Sequence, residues 1–379
     1  MDKLIYFDYA ATAPVRPEAA EAMTDALGRF GNPSSRYGYG REAARRVKED
    51  RETIAGAFGC APAELYFTSC GTESDNWAIR RGVELNRRRG KHIVTTAVEH
   101  AAVLETCRDL ERQGYEVTYL RPDRGGRISV EQVAAALRPD TALVSMMLVN
   151  NETGVVLPVA DCVKAVKACD PAILFHCDGV QGFLKTPEPL GKLGADLVAV
   201  SGHKVGAPKG VGALYIKKGV RLRPLLTGGG QEDGLRSGTE ATAQIAAFAA
   251  AVRANLRDPG RLERAAAMKE YTLSKLKEAV PKLEVISAGD APHICAVTLP
   301  GYKSEVVVRV LGDRGVCISS GSACHKGRPS HVFAAMNLPK PWLDGALRLS
   351  FSADSTREEA DALVRALKDA ADSLFTTLS

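Results

Sequence analysis

Leu197-Val198-Ala199-Val200-Ser201-Gly202-His203-Lys204 decides the fold class. Four apolar residues in a row, without polar alternation and too few for a helix, suit a strand buried on both faces of a parallel sheet. The run ends at Ser201, and a histidine and a lysine follow directly. A second apolar run, Ile173-Leu174-Phe175, leads into His176-Cys177-Asp178. A lysine past one strand end and a carboxylate past another can meet in one crevice of an open α/β sheet, where such folds bind their ligands.

Outward from this stretch the pattern repeats. Strands are expected at Glu64–Thr68, His92–Val94, Glu116–Tyr119, Ala142–Leu148 and Ile173–Phe175, with helices from Thr72, around Val103–Arg112, at Val130–Leu137 and at Val159–Ala168. This β-α-β alternation predicts a mostly parallel sheet covered by helices, to which Val211–Ile216 adds an antiparallel strand. An alanine-rich helix, Ala241–Leu256, stops at Asp258-Pro259-Gly260, a strong breaker and the best domain boundary. Beyond it come helices at Arg261–Val280 and Ser304–Gly312. The closing helix opens on the capping box Thr356-x-x-Glu359 and carries Ala360, Leu363, Val364, Leu367 and Leu374 on one face. The reading is a large domain over residues 15–258 and a smaller α+β domain over 259–379.

Bulk properties narrow the function classes. At 379 residues the chain exceeds what one core supports, so about two or three domains are expected. The net charge of +5 comes without a basic stripe interleaved with aromatics, which argues against nucleic acid. Arg87-Arg88-Arg89-Gly90-Lys91 reads as a solvated helix end. The nine cysteines contain no Cys-x-x-Cys pair and no zinc spacing, so no metal is expected. Cys107, Cys162, Cys169 and Cys295 sit in apolar or helical surroundings, where thiols behave as small buried hydrophobes. No apolar stretch is long enough to span a bilayer, and Met1-Asp2-Lys3-Leu4-Ile5-Tyr6 has no leader character. A reduced cytoplasm is the expected compartment.

The lysine and the carboxylate suit pyridoxal phosphate (PLP): Lys204 for a Schiff base, Asp178 to partner the pyridinium nitrogen. Such a lysine must be able to shed its proton, which neighbouring positive charge or low polarity favours. Taken by itself, Asp178 serves equally well as a helix N-cap at a strand-to-helix turn. Thr72 opens a helix whose first amides can hold a phosphate. Far along the chain, Ser319-Ser320-Gly321-Ser322-Ala323-Cys324 puts a thiol on a small-residue loop, with His325, Lys326 and Arg328 following to favour the thiolate. Lysine, aspartate and a loop cysteine together point to sulfur chemistry on an amino acid.

The chain resembles the cysteine desulfurases of the NifS/IscS type, in the class V aminotransferase group of PLP enzymes. The likeness runs from Tyr6-Phe7-Asp8-Tyr9-Ala10-Ala11-Thr12 to Leu347-Arg348-Leu349-Ser350. It is carried by Gly31-Asn32-Pro33-Ser34-Ser35, Thr72-Glu73-Ser74-Asp75-Asn76, Glu99-His100, Val149-Asn150-Asn151-Glu152-Thr153-Gly154, His176–Gln181, Ser201–Lys204, Arg236-Ser237-Gly238-Thr239 and the Cys324 loop.

The resemblance implies PLP fold type I, like aspartate aminotransferase, with residues 1–14 packing on the smaller domain. It assigns Lys204, Cys324 and His100 to catalysis, with His100 stacking on the cofactor ring. Thr72, Asp178, Gln181, Ser201 and His203 become cofactor ligands, and Asn151, Arg348 and Asn32 frame the substrate. Thr239 would reach the neighbouring subunit's site in a homodimer. The implied reaction turns L-cysteine into L-alanine and leaves a persulfide on Cys324 for a sulfur-acceptor protein, in iron–sulfur cluster, thio-cofactor or tRNA sulfur supply. Selenocysteine lyase or another class V aminotransferase or lyase is the alternative, and a non-catalytic sulfur carrier a more distant one. Two departures stand out: Cys70 where many relatives have glycine, and a short stretch, His325-Lys326-Gly327-Arg328, between Cys324 and Pro329.

Overall fold

The computed structural model describes residues 4–320 and 330–374, so Cys324 and the stretch that follows it lie outside the described residues. In chain order the strands are β1 (Ile5–Tyr6), β2 (Leu65–Thr68), β3 (His92–Thr96), β4 (Glu116–Leu120), β5 (Thr141–Ser145), β6 (Leu174–Asp178), β7 (Leu197–Ser201), β8 (Gly212–Ile216), β9 (Glu284–Ser287), β10 (Ile294–Thr298), β11 (Val316–Cys317), β12 (Ser319–Ser320) and β13 (Ala346–Ser350). The helices are α1 (Pro17–Leu27), α2 (Gly38–Phe58), α3 (Gly71–Leu85), α4 (Ala101–Arg112), α5 (Val130–Ala135), α6 (Val159–Cys169), α7 (Thr242–Leu256), α8 (Arg261–Ala279), α9 (Ser304–Gly312), α10 (His331–Ala335), α11 (Lys340–Asp344) and α12 (Arg357–Ser373).

Seven strands form the main sheet in the order β2-β8-β7-β6-β5-β3-β4. Strands β7, β6, β5, β3 and β4 run parallel, and β8 is antiparallel to both β7 and β2. Every residue of β5, β6 and β7 is buried, as expected for strands covered by helices on both faces. Strand β5 is shorter than the apolar run that encodes it. After Ser145 the chain leaves β3 but keeps bonding β6, through Met146 N–H to His176 O and Leu148 N–H to Asp178 O. That divergence splays Met147, Val149 and Asn151 away from the sheet and into a cavity.

On one side of the sheet α7 packs on α1 and α2. Its alanines (Ala243, Ala247, Ala249, Ala250, Ala251, Ala254) are buried and let the helices approach closely. A separate apolar core joins α8, α9 and α12 to β10, β11 and β13, and takes in Phe7 from beyond β1. Strand β1 pairs in parallel with β11, and Phe7 meets Phe351 edge-on at 5.5 Å between ring centroids. Burying Phe7 completely contributes roughly 2–3 kcal/mol towards holding the N-terminal segment there. Helix α12 starts with the expected capping box: Thr356 Oγ1 accepts from Glu359 N–H, and the Glu359 carboxylate accepts from Thr356 N–H.

Two readings change. Cys169, the last residue of α6, is exposed, because the helix ends there and turns the side chain to solvent; Cys107, Cys162 and Cys295 are buried as expected. The basic stretch after α3 is not wholly solvated either. Arg89 bonds Thr141 O and pairs with Asp170 at 2.5 Å, tying the helix end to the sheet. Among the described residues no helix is long and apolar enough to cross a membrane.

Candidate active site

The carboxyl ends of β2, β3, β5, β6 and β7 border one cavity of about 430 Å³. Thr72, His100, Asn151, Asp178, Gln181, Ser201, His203, Lys204 and Arg348 all line it. Asn32 and Thr239 do not: both are exposed, on the loop before α2 and on the segment before α7.

Lys204 closes a single 3-10 turn, Gly202–Lys204, that follows β7 directly. Its Nζ donates to Ala10 O and Ala11 O, each at 2.7 Å. Gln181 Nε2 also donates to Ala10 O, at 2.8 Å, so the lysine and the glutamine converge on one carbonyl. His203, beside the lysine, has Nδ1 3.1 Å from Thr12 Oγ1. Burial and the charges of Lys204, Lys209 and Lys185 push its pKa down to about 4, so its ring is neutral at pH 7.

Asp178 ends β6. A turn follows rather than a helix, and Asp178 Oδ1 accepts from Val180 N–H at 2.9 Å, so the aspartate shapes the turn instead of capping a helix. Burial raises its pKa, while His100, the Val180 bond and Lys204 oppose the rise. Such a carboxylate gains from a cationic partner placed in the cavity. His100 is the N-cap of α4, with Nδ1 accepting from Ala102 N–H at 3.1 Å. That bond fixes a neutral tautomer with the proton on Nε2 and holds the ring at the cavity wall. Desolvation lowers the His100 pKa as well.

Helix α3 opens into the cavity without a side-chain cap: its N-cap is Cys70, whose thiol leaves the first amides unmet. An uncapped, 15-residue helix pointing its positive pole at a cavity is an anion site in waiting. Thr72 stands in that first turn. Gly71 gives the turn room there, since a Cβ would lie 2.7 Å from Val180 Cγ2 and push that side chain aside. Glu73 ties the turn to the segment carrying Thr239, pairing with Arg236 at 2.9 Å. Cys70, the departure from glycine noted in the sequence, puts a thiol at this helix end, where Ser69 Oγ donates to its Sγ at 3.6 Å.

At the opposite end Arg348, from β13, is only 8% exposed. It is no surface ion pair. Its guanidinium bonds Asp8 Oδ1 at 2.7 Å, Ser319 Oγ at 2.9 Å and Asn151 O at 3.0 Å, and among the described residues its Nε has no partner. Asp8 and Ser319 both line the cavity and were missed as site residues. Asp8 lies inside the quoted Tyr6–Thr12 motif, but only the fold reveals that it meets Arg348: Asp8 bridges Ser350 in parallel, two residues beyond Arg348 on β13. Ser319 stands five residues before Cys324 in the chain.

Residues 5–363 match the Aminotransferase class-V family. "Cysteine desulfurase 2" of Trichormus variabilis is 41% identical over 371 residues, covering 96% of this chain and 92% of that one. The chain belongs to the cysteine desulfurases of this family. "Cysteine desulfurase IscS" of Escherichia coli is 40% identical, with 96% and 92% of the two chains covered. Among solved structures, a "NIFS-LIKE PROTEIN" superposes with a TM-score of 0.91 at 35% identity, covering 98% of this chain and all of that one. A structure described as "SspA in complex with cysteine" gives a TM-score of 0.80 at 35% identity, over 93% and 99% of the chains. The structural neighbours share the PLP fold-type-I architecture of this chain, in which β8 lies antiparallel beside β7, the strand that leads into Lys204.

Proposed function

We propose that the protein converts L-cysteine to L-alanine with PLP held in the cavity described above, passing the sulfur through Cys324. The observation that carries this reading is the convergence of Lys204, Asp178, an uncapped α3 and Arg348 on one cavity in a member of the desulfurase family. The residues fit the cofactor. The amides of α3 with Thr72, Ser201 and His203 suit its phosphate, and the buried Asp178 carboxylate suits its ring nitrogen. Gln181 is placed for its phenolic oxygen and His100 for its ring face.

Bound there, the cofactor supplies an electron sink for bonds breaking at the substrate's α- and β-carbons. The remaining roles belong to the chain. Arg348 and Asn151 hold the substrate carboxylate, and Lys204 Nζ moves the proton at the α-carbon. The Cys324 thiolate then forms an S–S bond to the substrate sulfur as the carbon–sulfur bond breaks. The electron pair stays with the carbon fragment, which gains a proton and leaves as alanine. A persulfide remains on Cys324 for a thiol or an acceptor protein.

A homodimer completes the reading. Thr239 and Asn32 are exposed and do not line their own cavity, and near Asn32 lie Phe30 (86% exposed) and Tyr39, rings 5.3 Å apart, an apolar patch suited to a second copy. We also place the domain boundary at 258, where α7 gives way to α8, and take the compartment to be cytoplasmic. The test is alanine and sulfide counted together from L-cysteine, PLP and a reducing thiol. Equal yields, lost in Cys324→Ala, support the proposal; alanine formed unchanged by that variant would overturn the persulfide route.

A further inference from the structure

Behind Lys204, on the far side of the Ala10–Ala13 strap from the cavity just described, lies a second one of similar size, about 430 Å³. Lys204 lines both. Its other inner cations are Arg16, Lys185 and Arg261, each half-buried, whereas its two acids, Glu18 and Asp354, stand on the exposed rim. The interior therefore carries positive charge without a matching carboxylate.

Two of these cations, Lys185 and Arg261, have donors without partners among the described residues. An ammonium offers three donors, but among the described residues Lys185 Nζ makes one long bond, 3.4 Å to Gln181 Oε1. His293, 4% exposed, reaches the same oxygen at 3.4 Å through Nε2 and leaves Nδ1 unpartnered. Arg261 bonds Asp258 O and Leu184 O, and its Nε has no partner. It stands in the first turn of α8, whose positive helix pole adds to the field. Burial and the charges of Lys204 and Arg348 push Lys185 down to about 7, and burial with Lys185 and Lys269 pushes His293 well below its ordinary value. A bound negative charge would reverse the second cause in both. The rest of the wall is apolar: Val15, Leu184, Leu262, Ala265 and Phe351.

We propose that this cavity binds a small organic acid, its carboxylate on Lys185 and Arg261 and its apolar body against Leu262 and Phe351. Apolar walls with a few convergent polar groups are what a small-molecule site needs, and they disfavour a fully hydrated inorganic ion. Because Lys204 forms the shared wall, the occupant would sense the state of the active site. The inference stands apart from the desulfurase reading, since its readout is binding and not turnover.

The probe is 4-methylpentanoate, titrated calorimetrically into the purified protein, with 4-methylpentanamide as the uncharged control. One equivalent should bind, the amide should not, and Arg261→Gln should weaken binding by about tenfold or more, as losing a charge-assisted hydrogen bond does. Arg348→Gln, which removes a charge that holds Lys185 down, should not weaken it. Leu262→Trp, which fills the cavity from its wall without touching a charge, should block it even if Arg261→Gln folds poorly. Absence of binding, equal binding of the amide, or binding lost in Arg348→Gln and kept in Leu262→Trp would overturn the proposal.

Discussion

The two ends of the active-site cavity are built on different principles. Thr72, His100, Asp178, Ser201, His203 and Lys204 all stand at strand ends, or in the first turn after them, of one seven-stranded sheet. Arg348 and Ser319 come from the four-stranded sheet, Asp8 from the segment after β1 and Asn151 from the chain beyond β5. The sheet end is one rigid piece whose polar groups wait for a partner: the α3 amides have no side-chain cap, and the Asp178 carboxylate accepts a single backbone bond. The other end exists only where the two cores meet, and it is already largely engaged, with three partners on the Arg348 terminal nitrogens and only Nε left over among the described residues. A ligand at the sheet end fills vacancies, whereas a carboxylate at Arg348 must share it with Asp8.

The largest effect is expected at Lys204. Lys204→Ala removes the proposed proton carrier, and alanine formation should fall by about a thousandfold or more. Turnover within tenfold of the parent would break the assignment of the sheet end to chemistry. Asp178→Asn comes next. The amide oxygen still accepts from Val180 N–H, so the turn persists, but the charge facing a ring nitrogen is gone. A drop of roughly a hundredfold in kcat/KM, with weaker PLP uptake in an absorbance titration, is expected. Intact uptake and turnover would mean that Asp178 merely shapes its turn.

The engaged end should respond in the opposite way to two substitutions. Arg348→Lys loses the planar fork, and KM for L-cysteine should rise about tenfold or more with a smaller change in kcat. Asp8→Asn removes the competing carboxylate while preserving shape, so KM should fall severalfold at the same kcat. Initial-rate kinetics on the pair distinguish competition from support. If both variants raise KM, Asp8 orients the arginine and the contrast between the two ends is smaller than the geometry suggests.

The difference between the ends also explains what the sequence made legible. Buried parallel strands announce themselves as unbroken apolar runs, and functional groups follow within a few residues of each run. Lys204, Asp178, His100 and Thr72 were therefore readable, their roles sharpened by the family likeness. Asp8 was not, because its partner lies 340 positions away and the link depends on a single parallel bridge from Asp8 to Ser350 on β13, too short to carry a period. Strand β5 was overextended for a related reason: Met146, Met147 and Leu148 are as apolar as a strand, yet the chain diverges there to form the cavity wall. Lys185 and His293 escaped notice because a lysine after a turn and a histidine before a strand look ordinary until the fold buries them together.

The smallest effect tests whether the sheet end also carries a cost in stability. Glu99 is fully buried; Oε1 accepts from Thr96 Oγ1 at 2.7 Å and Met147 N–H at 3.0 Å, and Oε2 has no partner among the described residues. Burial raises its pKa to about 8, against about 4.3 for an unperturbed glutamate. Between those values the folded protein holds a proton that the unfolded chain releases. The resulting stabilisation is therefore complete below about pH 4.3 and is lost as pH rises towards 8. Glu99→Gln keeps the acceptor for Thr96 and Met147 but cannot titrate. Its stability relative to the parent should thus improve from pH 5.5 to pH 8, by about 1–3 kcal/mol in urea denaturation, the order expected for one buried carboxyl. Parallel stability curves for parent and variant would mean that Glu99 ionises normally in the fold, and that a charge of the same sign already sits beside Asp178 before any ligand arrives.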